Sequence, residues 1–357
     1  MKKNWKIAVA TMLVMAGLVS GCANTETKAP VAQEKKEVTE SENTTNSANT
    51  TESENTTQAV TVRVGSLKGA TSMGLVSMMD QAAQSKTGNN YEFTMVTAAD
   101  ELTAMIASKN VDIALVPANV AAILYNKTQG GISVIDINTL GVLYMVSGNS
   151  QITDIASLKG KTVYLTGKGT TPDYVLQYLL EQNGLTTADV TLEYKSEPTE
   201  VVSILAADPN AIGLLPQPFS TVACLQNQSL KEVIDLNAAW KQVQGENGGD
   251  MVTGVTIVRK EFLAEHEDAV TTFLAEHKAS VLFAGSNTEQ AAALVVKAGI
   301  IEKEPVAVKA IPKCNIVYID GAEMKQSLAG YLEVLSEQNA ETIGQKLPAD
   351  DFYYGAE

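Results

Sequence analysis

KTVYLTGKGTTPDYVLQYLLEQNG, residues 161–184, places a strand pattern, a loop of small residues and a helix pattern one after another. Residues 161–165 read as a strand, and the loop Gly167-Lys168-Gly169-Thr170-Thr171 follows it. Pro172 opens the helix and Gly184 ends it, since proline suits the first helical turn and glycine the position past the last. The inward face of this helix is predicted to carry Val175, Leu176, Leu179 and Leu180.

The same strand, loop and helix order occurs three more times. Strands are predicted at 60–65, 111–116 and 211–215, and the loops after them are 66–72, 117–119 and 216–218. Further strands are predicted at 91–96, 190–194 and 251–258, and helices at 198–207 and over most of the chain from Lys260 onward. Thr97 and Asp100 form a capping-box pattern for another helix. Buried strands that alternate with helices indicate an α/β fold with a mainly parallel sheet.

The four loops predict where a ligand would bind. In open α/β sheets the ligand lies beyond the carboxyl ends of the strands, where helix N-termini present free N–H groups. The first two loops precede residue 147 and the last two follow it, so two opposed sets of loops would form a cleft.

Four segments resemble the extracytoplasmic substrate-binding proteins of ABC importers. The branch is the NMT1/THI5-like one, which includes nitrate, taurine, alkanesulfonate and thiamine-pyrimidine-precursor binders. The segments are Val64-Gly65-Ser66-Leu67-Lys68-Gly69, Val111 to Asn119, Leu158 to Val163 with Gly169 to Tyr174, and Leu215-Pro216-Gln217-Pro218-Phe219. The resemblance covers the chain from Val60 to its C-terminus.

The resemblance implies a type II periplasmic-binding-protein fold, with two lobes, a hinge and a ligand cleft between them. The chain would cross between lobes near Ser147 and Thr253, so that 60–147 and 254–357 form lobe 1 and 148–253 forms lobe 2. The implied function is capture of a small organic solute and its delivery to an ABC import permease, by a monomer without a cofactor. Alternatives are an exported ligand sensor or a non-transport enzyme of the same fold.

Carried over residue by residue, the resemblance implies a set of ligand contacts. They are Lys68, Thr71, Ser72, Met73 and Asn119 from lobe 1, and Gly169, Thr170, Thr171 and Gln217 from lobe 2. Many relatives have Glu where this chain has the neutral Gln217, which argues against a cationic-group contact there. Each residue also has a structural interpretation, because glycines permit turns, Ser and Thr cap helices, and Met73 fits a core.

The N-terminus predicts export and lipid anchoring. Lys2, Lys3 and Lys6 precede an apolar run at 7–19, as in a secretory signal peptide at 1–21. The ending Val19-Ser20-Gly21-Cys22 resembles the bacterial lipobox, which implies acylation of Cys22 and anchoring to the outer face of the cell membrane. An ordinary signal peptide with an incidental cysteine is the alternative.

Residues 22–59 are predicted to be a disordered tether. They contain almost no large apolar side chain and cannot bury enough surface to offset the entropy of ordering. Thr-Glu-Ser-Glu-Asn-Thr-Thr occurs at 39–45 and again at 51–57, which we interpret as a duplicated spacer.

Charge and chemistry-bearing residues exclude several function classes. The net charge of −15 argues against nucleic acid or an anionic lipid surface as a partner. His266 and His277 are eleven positions apart, too far for one metal ion, and are predicted to be solvated helix surface. Cys224 and Cys314 are predicted to be buried free thiols. No catalytic elbow, ordered phosphate loop or Cys/His pairing is visible, so we expect no enzyme activity.

Arginine usage bears on the ligand. Arg63 and Arg259 are the only arginines of the chain, and neither falls on a predicted cleft loop. Bidentate recognition of an anion by a guanidinium is therefore not expected. An anionic group would be held by helix N-termini, hydroxyls and Lys68, or else the ligand is neutral or heteroaromatic.

Overall fold

The chain folds into two α/β lobes, each built on its own sheet. The computed structural model describes residues 60–245 and 248–356, so the predicted signal peptide, Cys22 and tether lie outside the described residues. Numbered in chain order, the strands of the first sheet lie in the spatial order β11 (Ile316–Ile319), β4 (Ile132–Leu140), β10 (Val252–Arg259), β3 (Ile113–Pro117), β1 (Thr61–Leu67), β2 (Asn90–Val96). Those of the second sheet are β7 (Thr191–Lys195), β6 (Thr162–Thr166), β8 (Ile212–Pro216), β5 (Leu143–Ser147), β9 (Lys231–Asp235). The predicted fold class is confirmed.

Helices cover these sheets. Those within the described residues are α1 (Ala70–Met73), α2 (Val76–Ala83), α3 (Ala99–Ala107), α4 (Ala118–Lys127), α5 (Thr171–Gln182), α6 (Pro198–Ala207), α7 (Phe219–Gln226), α8 (Leu236–Gln244), α9 (Lys260–Glu265), α10 (Glu267–Ser286), α11 (Thr288–Lys297), α12 (Glu304–Ala310) and α13 (Gly321–Gln338). The four apolar side chains predicted to face inward from α5 are all fully buried. The capping box at Thr97 does not form, because Ala98 occupies the N-cap of α3 and no side chain caps it.

Both sheets are mixed, which corrects the prediction of a mainly parallel sheet. In the first sheet β1 pairs in parallel with β2 and β3, while β10 is antiparallel to both β3 and β4. In the second sheet β6 is parallel to β7 and β8, and β5 is antiparallel to β8 and β9. Two of the reversed strands adjoin the crossings between the lobes, since β5 begins after the first crossing and β10 after the second. The strand β4, which leads out of the first lobe, runs in the same direction as β1 and β3.

The first crossing lies at Gly141 and Val142, between β4 and β5. The first crossing was predicted near Ser147, which is wrong because residues 143–147 form β5 and pair within the second sheet. A β-carbon at Gly141 would lie 2.0 Å from Met251 Cε and 2.8 Å from Asn237 Cβ, so this crossing requires glycine. The second crossing lies between α8 and β10, next to the predicted Thr253.

The C-terminal helix α13 contacts both lobes. It packs on α4, β4 and β10 of the first lobe and on α5 of the second. Tyr331 of α13 is buried against Trp240 of α8, with ring centroids 5.5 Å apart. The region after Lys260 is mostly helical as predicted, and within that region the prediction missed the strand β11. Within the described residues, no helix has the length and apolar character needed to cross a bilayer.

Candidate ligand-binding site between the lobes

A cavity of about 580 Å³ lies between the two lobes, which we call the interlobe cavity. Its volume is within the usual range for small-molecule sites. The first lobe contributes Lys68, Ile301 and Val306 to its lining, and the second contributes Thr199, Phe219 and Val222. A depression of about 610 Å³ also exists, but it is lined by the second lobe alone, so closure of the lobes cannot bury a molecule there.

Two of the predicted loops meet at the interlobe cavity. Lys68 follows β1 and Pro218 follows β8, so each stands beyond the carboxyl end of its strand, as the strand order predicts. The Lys68 side chain is exposed and forms no ion pair within the described residues. A lysine in this state is available to an anionic or hydrogen-bond-accepting group of a solute.

The other predicted residues after β1 serve the turn itself. The Thr71 hydroxyl donates to the Leu67 carbonyl at 3.1 Å. The Ser72 hydroxyl also donates to the Leu67 carbonyl and lies 2.8 Å from the Ser66 hydroxyl. Met73 is fully buried among apolar side chains, so the structure places it in the core rather than on the cavity wall. Thr71 and Ser72 hold the turn that presents Lys68.

The loop before α5 is occupied by a carboxylate of its own helix. The Asp173 carboxylate accepts from the Gly169 amide at 2.8 Å, and the Thr170 hydroxyl donates to the Gly167 carbonyl at 2.6 Å. Asp173 is 3% exposed and also accepts from Gln177 at 2.6 Å and Tyr194 at 2.7 Å. Burial, followed by the hydrogen bond to Asp173, raises the pKa of Tyr194. A second anion at this helix N-terminus would be repelled by Asp173, so the loop suits a neutral or cationic group.

Two of the residues predicted to contact a ligand are hydrogen-bonded within the protein instead. Asn119 at the start of α4 donates to the Thr342 carbonyl at 3.4 Å. Gln217, which precedes Pro218 through a cis peptide bond, is 4% exposed. Its amide nitrogen donates to Glu232 at 2.8 Å and its oxygen accepts from the Thr221 hydroxyl at 2.8 Å. Thr171 is half-buried at the first residue of α5.

Glu232 is a residue that the sequence analysis missed. It lies in β9, accepts from the Ser220 hydroxyl at 2.9 Å and from Gln217, and is paired with Lys313. The β-branched pair Val233-Ile234 between polar residues is the signal that could have identified β9. The amide nitrogen of Gln217 is therefore engaged by this carboxylate and its oxygen by Thr221, rather than by a ligand.

Both arginines lie at the opposite edge of the first sheet, as expected for residues outside the cleft. Asp112 precedes β3, and its buried carboxylate pairs with Arg63 at 2.6 Å and with Arg259 at 2.7 Å. Burial raises the pKa of Asp112, but the hydrogen bonds from both guanidinium groups outweigh it and hold the pKa below the ordinary value. No arginine is left for a solute in the interlobe cavity.

The prediction for the histidines is wrong at His277. This residue is fully buried in α10, and its Nδ1 lies 3.2 Å from Oδ2 of the equally buried Asp136. Asp136 also accepts from the Thr256 hydroxyl at 2.8 Å. The helical pattern gave no signal for this pairing, because the partner carboxylate comes from the distant strand β4. Within the described residues, no group of three or more potential metal ligands occurs.

The two cysteines after residue 59 are free thiols on different lobes. Cys314 is fully buried, and burial, with a smaller contribution from Glu232, raises its pKa to about 12. Cys224 is half-buried, and burial again raises its thiol pKa. Neither thiol is activated as a nucleophile, since activation requires a lowered pKa.

Comparison with known proteins agrees with this architecture. Residues 129–291 match the family model described as NMT1/THI5 like. The family resemblance of the sequence is confirmed over that part of the chain. No curated protein matches the sequence.

Solved structures share the fold. An ABC transporter protein from Parabacteroides distasonis is 22% identical with a TM-score of 0.67, and the match covers 82% of this chain and 98% of that one. The periplasmic aliphatic sulphonate binding protein SsuA from Escherichia coli is 16% identical with a TM-score of 0.64, covering 82% and 90%. The Candida albicans CA3427 gene product, described as having the generic periplasmic binding protein fold, is 14% identical with a TM-score of 0.53, covering 82% and 92%. At these identities the likeness shows the fold.

Proposed function

We propose that this protein is an extracytoplasmic solute-binding lipoprotein that captures a small organic solute and delivers it to an ABC import permease. The observation that carries the proposal is the interlobe cavity, in which Lys68 of one lobe faces the Pro218 loop of the other. A site shared by two lobes can bury a molecule when the lobes close. The ABC-transporter and sulphonate-binding descriptions of the similar structures support the same function.

The chemistry of the cavity limits the solute. Six of its lining side chains are large and apolar: Phe219, Val222, Leu225, Ile300, Ile301 and Val306. Both arginines of the chain are engaged by Asp112 and do not line the cavity. We therefore propose a neutral or heteroaromatic solute, or one whose single anionic group is held by Lys68.

Among the predicted contacts, we propose that Lys68 binds the solute directly. Gly169, Thr170 and Thr171 belong to the loop before α5, which does not line the interlobe cavity, so any contact they make with a solute would lie outside that cavity. Thr71, Ser72 and Gln217 would act by shaping the loops. The solute would leave unchanged, and conversion of a bound molecule into a product would contradict this non-enzymatic function.

Thermal-shift screening of the chain from Gln58 tests the site. Thiamine precursors, flavins, sulfonates, nitrate and small heterocycles are suitable candidates. A solute that binds the folded form raises the melting temperature with concentration. Lys68→Met should reduce that rise, whereas Lys86→Met, a change on the surface beside Gln84, should not. Equal loss in both variants, or no loss in either, would contradict a role for Lys68.

We also propose that Cys22 carries the membrane anchor. Its lipid would hold the protein at the outer face of the bacterial membrane, within reach of a permease. Cys22→Ser should release the protein from the membrane fraction of expressing cells. Retention of the variant in that fraction would refute the lipoprotein assignment.

A further inference from the structure

The two lobes are joined by a charged contact beside the interlobe cavity. Lys313, which follows α12 in the first lobe, forms an ion pair with Glu232 of β9 in the second. The Glu232 side chain is 12% exposed and that of Lys313 is 41% exposed. The Tyr144 hydroxyl of β5 also donates to the Lys313 carbonyl at 2.9 Å. These contacts link the two lobes beside the first backbone crossing, where Asn315 also donates to the Gly141 carbonyl.

The partners of Glu232 divide by lobe. Gln217 and Ser220 donate to Oε1 from the same lobe as Glu232, whereas Lys313 reaches Oε2 from the other lobe. If the lobes separate, Glu232 keeps its two neutral donors and loses only its cation. The carboxylate thus stays ordered in the open form, and its charge attracts Lys313 back on closure.

The contact also adjoins the cavity. Gln217, which holds Glu232, directly precedes Pro218 in the cavity wall, and the first residue of α7, Phe219, lines the cavity while the second, Ser220, binds Glu232. The segment 217–220 therefore contacts both the interlobe cavity and the ion pair. A change in lobe separation must alter both.

We propose that Glu232 and Lys313 form an interlobe latch that favours the closed arrangement before any solute binds. Gln217 and Ser220 are its positioning residues. The latch explains why the Gln217 amide, predicted to contact a ligand, is instead hydrogen-bonded to a protein carboxylate. It rests on lobe motion, which the proposed function requires, and not on the identity of the solute.

The effect of the latch on the open and closed populations can be bounded. A partly exposed ion pair contributes at most about 1 kcal/mol, which corresponds to roughly a fivefold change in an equilibrium. If solute binds the closed form, the apparent dissociation constant rises by up to the same factor when the latch is removed, because it varies inversely with the closed fraction.

Distance measurement by double electron–electron resonance tests the latch without a solute. Spin labels at Glu101→Cys of the first lobe and Thr187→Cys of the second occupy exposed positions. The full chain would also carry Cys22→Ser and Cys224→Ser, so that only the labels are exposed thiols. Lys313→Met and Glu232→Gln should each raise the ratio of the longer-distance to the shorter-distance population, by up to about fivefold. The double variant should show no more than either single change, because both remove one interaction.

Lys309→Met is the matched control, since Lys309 is exposed on α12 and forms no ion pair within the described residues. In the unsubstituted protein, salt at about 1 M should screen the ion pair and increase the population at longer distances. In Lys313→Met the same salt should leave the distance distribution unchanged. Unaltered distances in Lys313→Met, or additive effects in the double variant, would overturn the latch. Failure to find a solute would count against the proposed function and leave these distances interpretable.

Discussion

Replacement of Asp112 by Asn should be among the more destabilising single changes in the first lobe. The Asp112 carboxylate accepts from the Arg63 amide at 3.0 Å, from Arg63 Nε at 2.8 Å and Nη2 at 2.6 Å, and from Arg259 Nη2 at 2.7 Å. Asparagine keeps the shape but removes the charge and turns one acceptor into a donor that faces a guanidinium group. Two cations would then lack their shared counter-ion.

The magnitude follows from the exposure of the two arginines. Removing one partner of a buried ion pair costs about 3–5 kcal/mol. The Arg259 side chain is 13% exposed and cannot rehydrate fully, whereas that of Arg63 is 37% exposed and can. We therefore expect the free energy of unfolding to fall by about 3 kcal/mol, the lower end of that range. This corresponds to a fall in Tm of roughly 6–12 °C.

The pH dependence gives a second test. Because the pKa of Asp112 is lowered in the folded state, its stabilisation is present above the pKa of an unfolded aspartate, about 3.9. It is lost as the pH falls through the lower folded value. The difference in Tm between the unsubstituted protein and Asp112→Asn should be constant above about pH 5 and shrink below about pH 4.

Melting curves followed by circular dichroism from pH 7 downward measure both quantities. Asp80→Asn is the control, because Asp80 pairs with Lys297 at 2.7 Å on the surface, and a small change is expected there. Solute-induced thermal shifts should persist in Asp112→Asn, since Asp112 lies at the sheet edge opposite the cavity. A loss below about 1 kcal/mol, or a difference that grows as the pH falls, would refute the reasoning.

Two further changes test the packing at the junction of the lobes. Tyr331→Phe should change the free energy of unfolding by less than about 1 kcal/mol, because the buried Tyr331 hydroxyl forms no hydrogen bond of ordinary geometry within the described residues, although the Thr171 side chain lies near it. A loss above about 2 kcal/mol would show that the hydroxyl is hydrogen-bonded. Gly141→Ala should destabilise by about 1–3 kcal/mol, since its β-carbon would lie 2.8 Å from Asn237 Cβ. Gly285→Ala, in α10 with no atom within 4 Å of its β-carbon, should instead stabilise by about 0.5–1 kcal/mol, and equal effects at the two glycines would contradict the crossing geometry.

Local periodicity predicted most elements well. The helix α5 has its buried face at the four predicted positions, and α6 spans the predicted 198–207. The strand β4 was missed because Ser133, Asp136, Asn138 and Thr139 interrupt its apolar residues, although the fold buries all four. The strand β5 has only five residues and is buried throughout, so it shows no alternation. The strand direction within each sheet was also beyond local pattern, since pairing is decided by segments far apart in sequence.

The sequence by itself determined the alternation of strands and helices, the family resemblance, and the position of loops such as 66–72 and 216–218 at strand ends. Those features depend on side-chain spacing and on backbone preferences of a few neighbouring residues. Only the tertiary structure decided which polar groups were free. Gln217, Asp173 and His277 each found a partner within the protein, and Lys68 kept its charge exposed. A polar side chain is satisfied by whatever the fold brings within hydrogen-bond distance, and for Gln217 and His277 that partner lies 15 and 141 positions away.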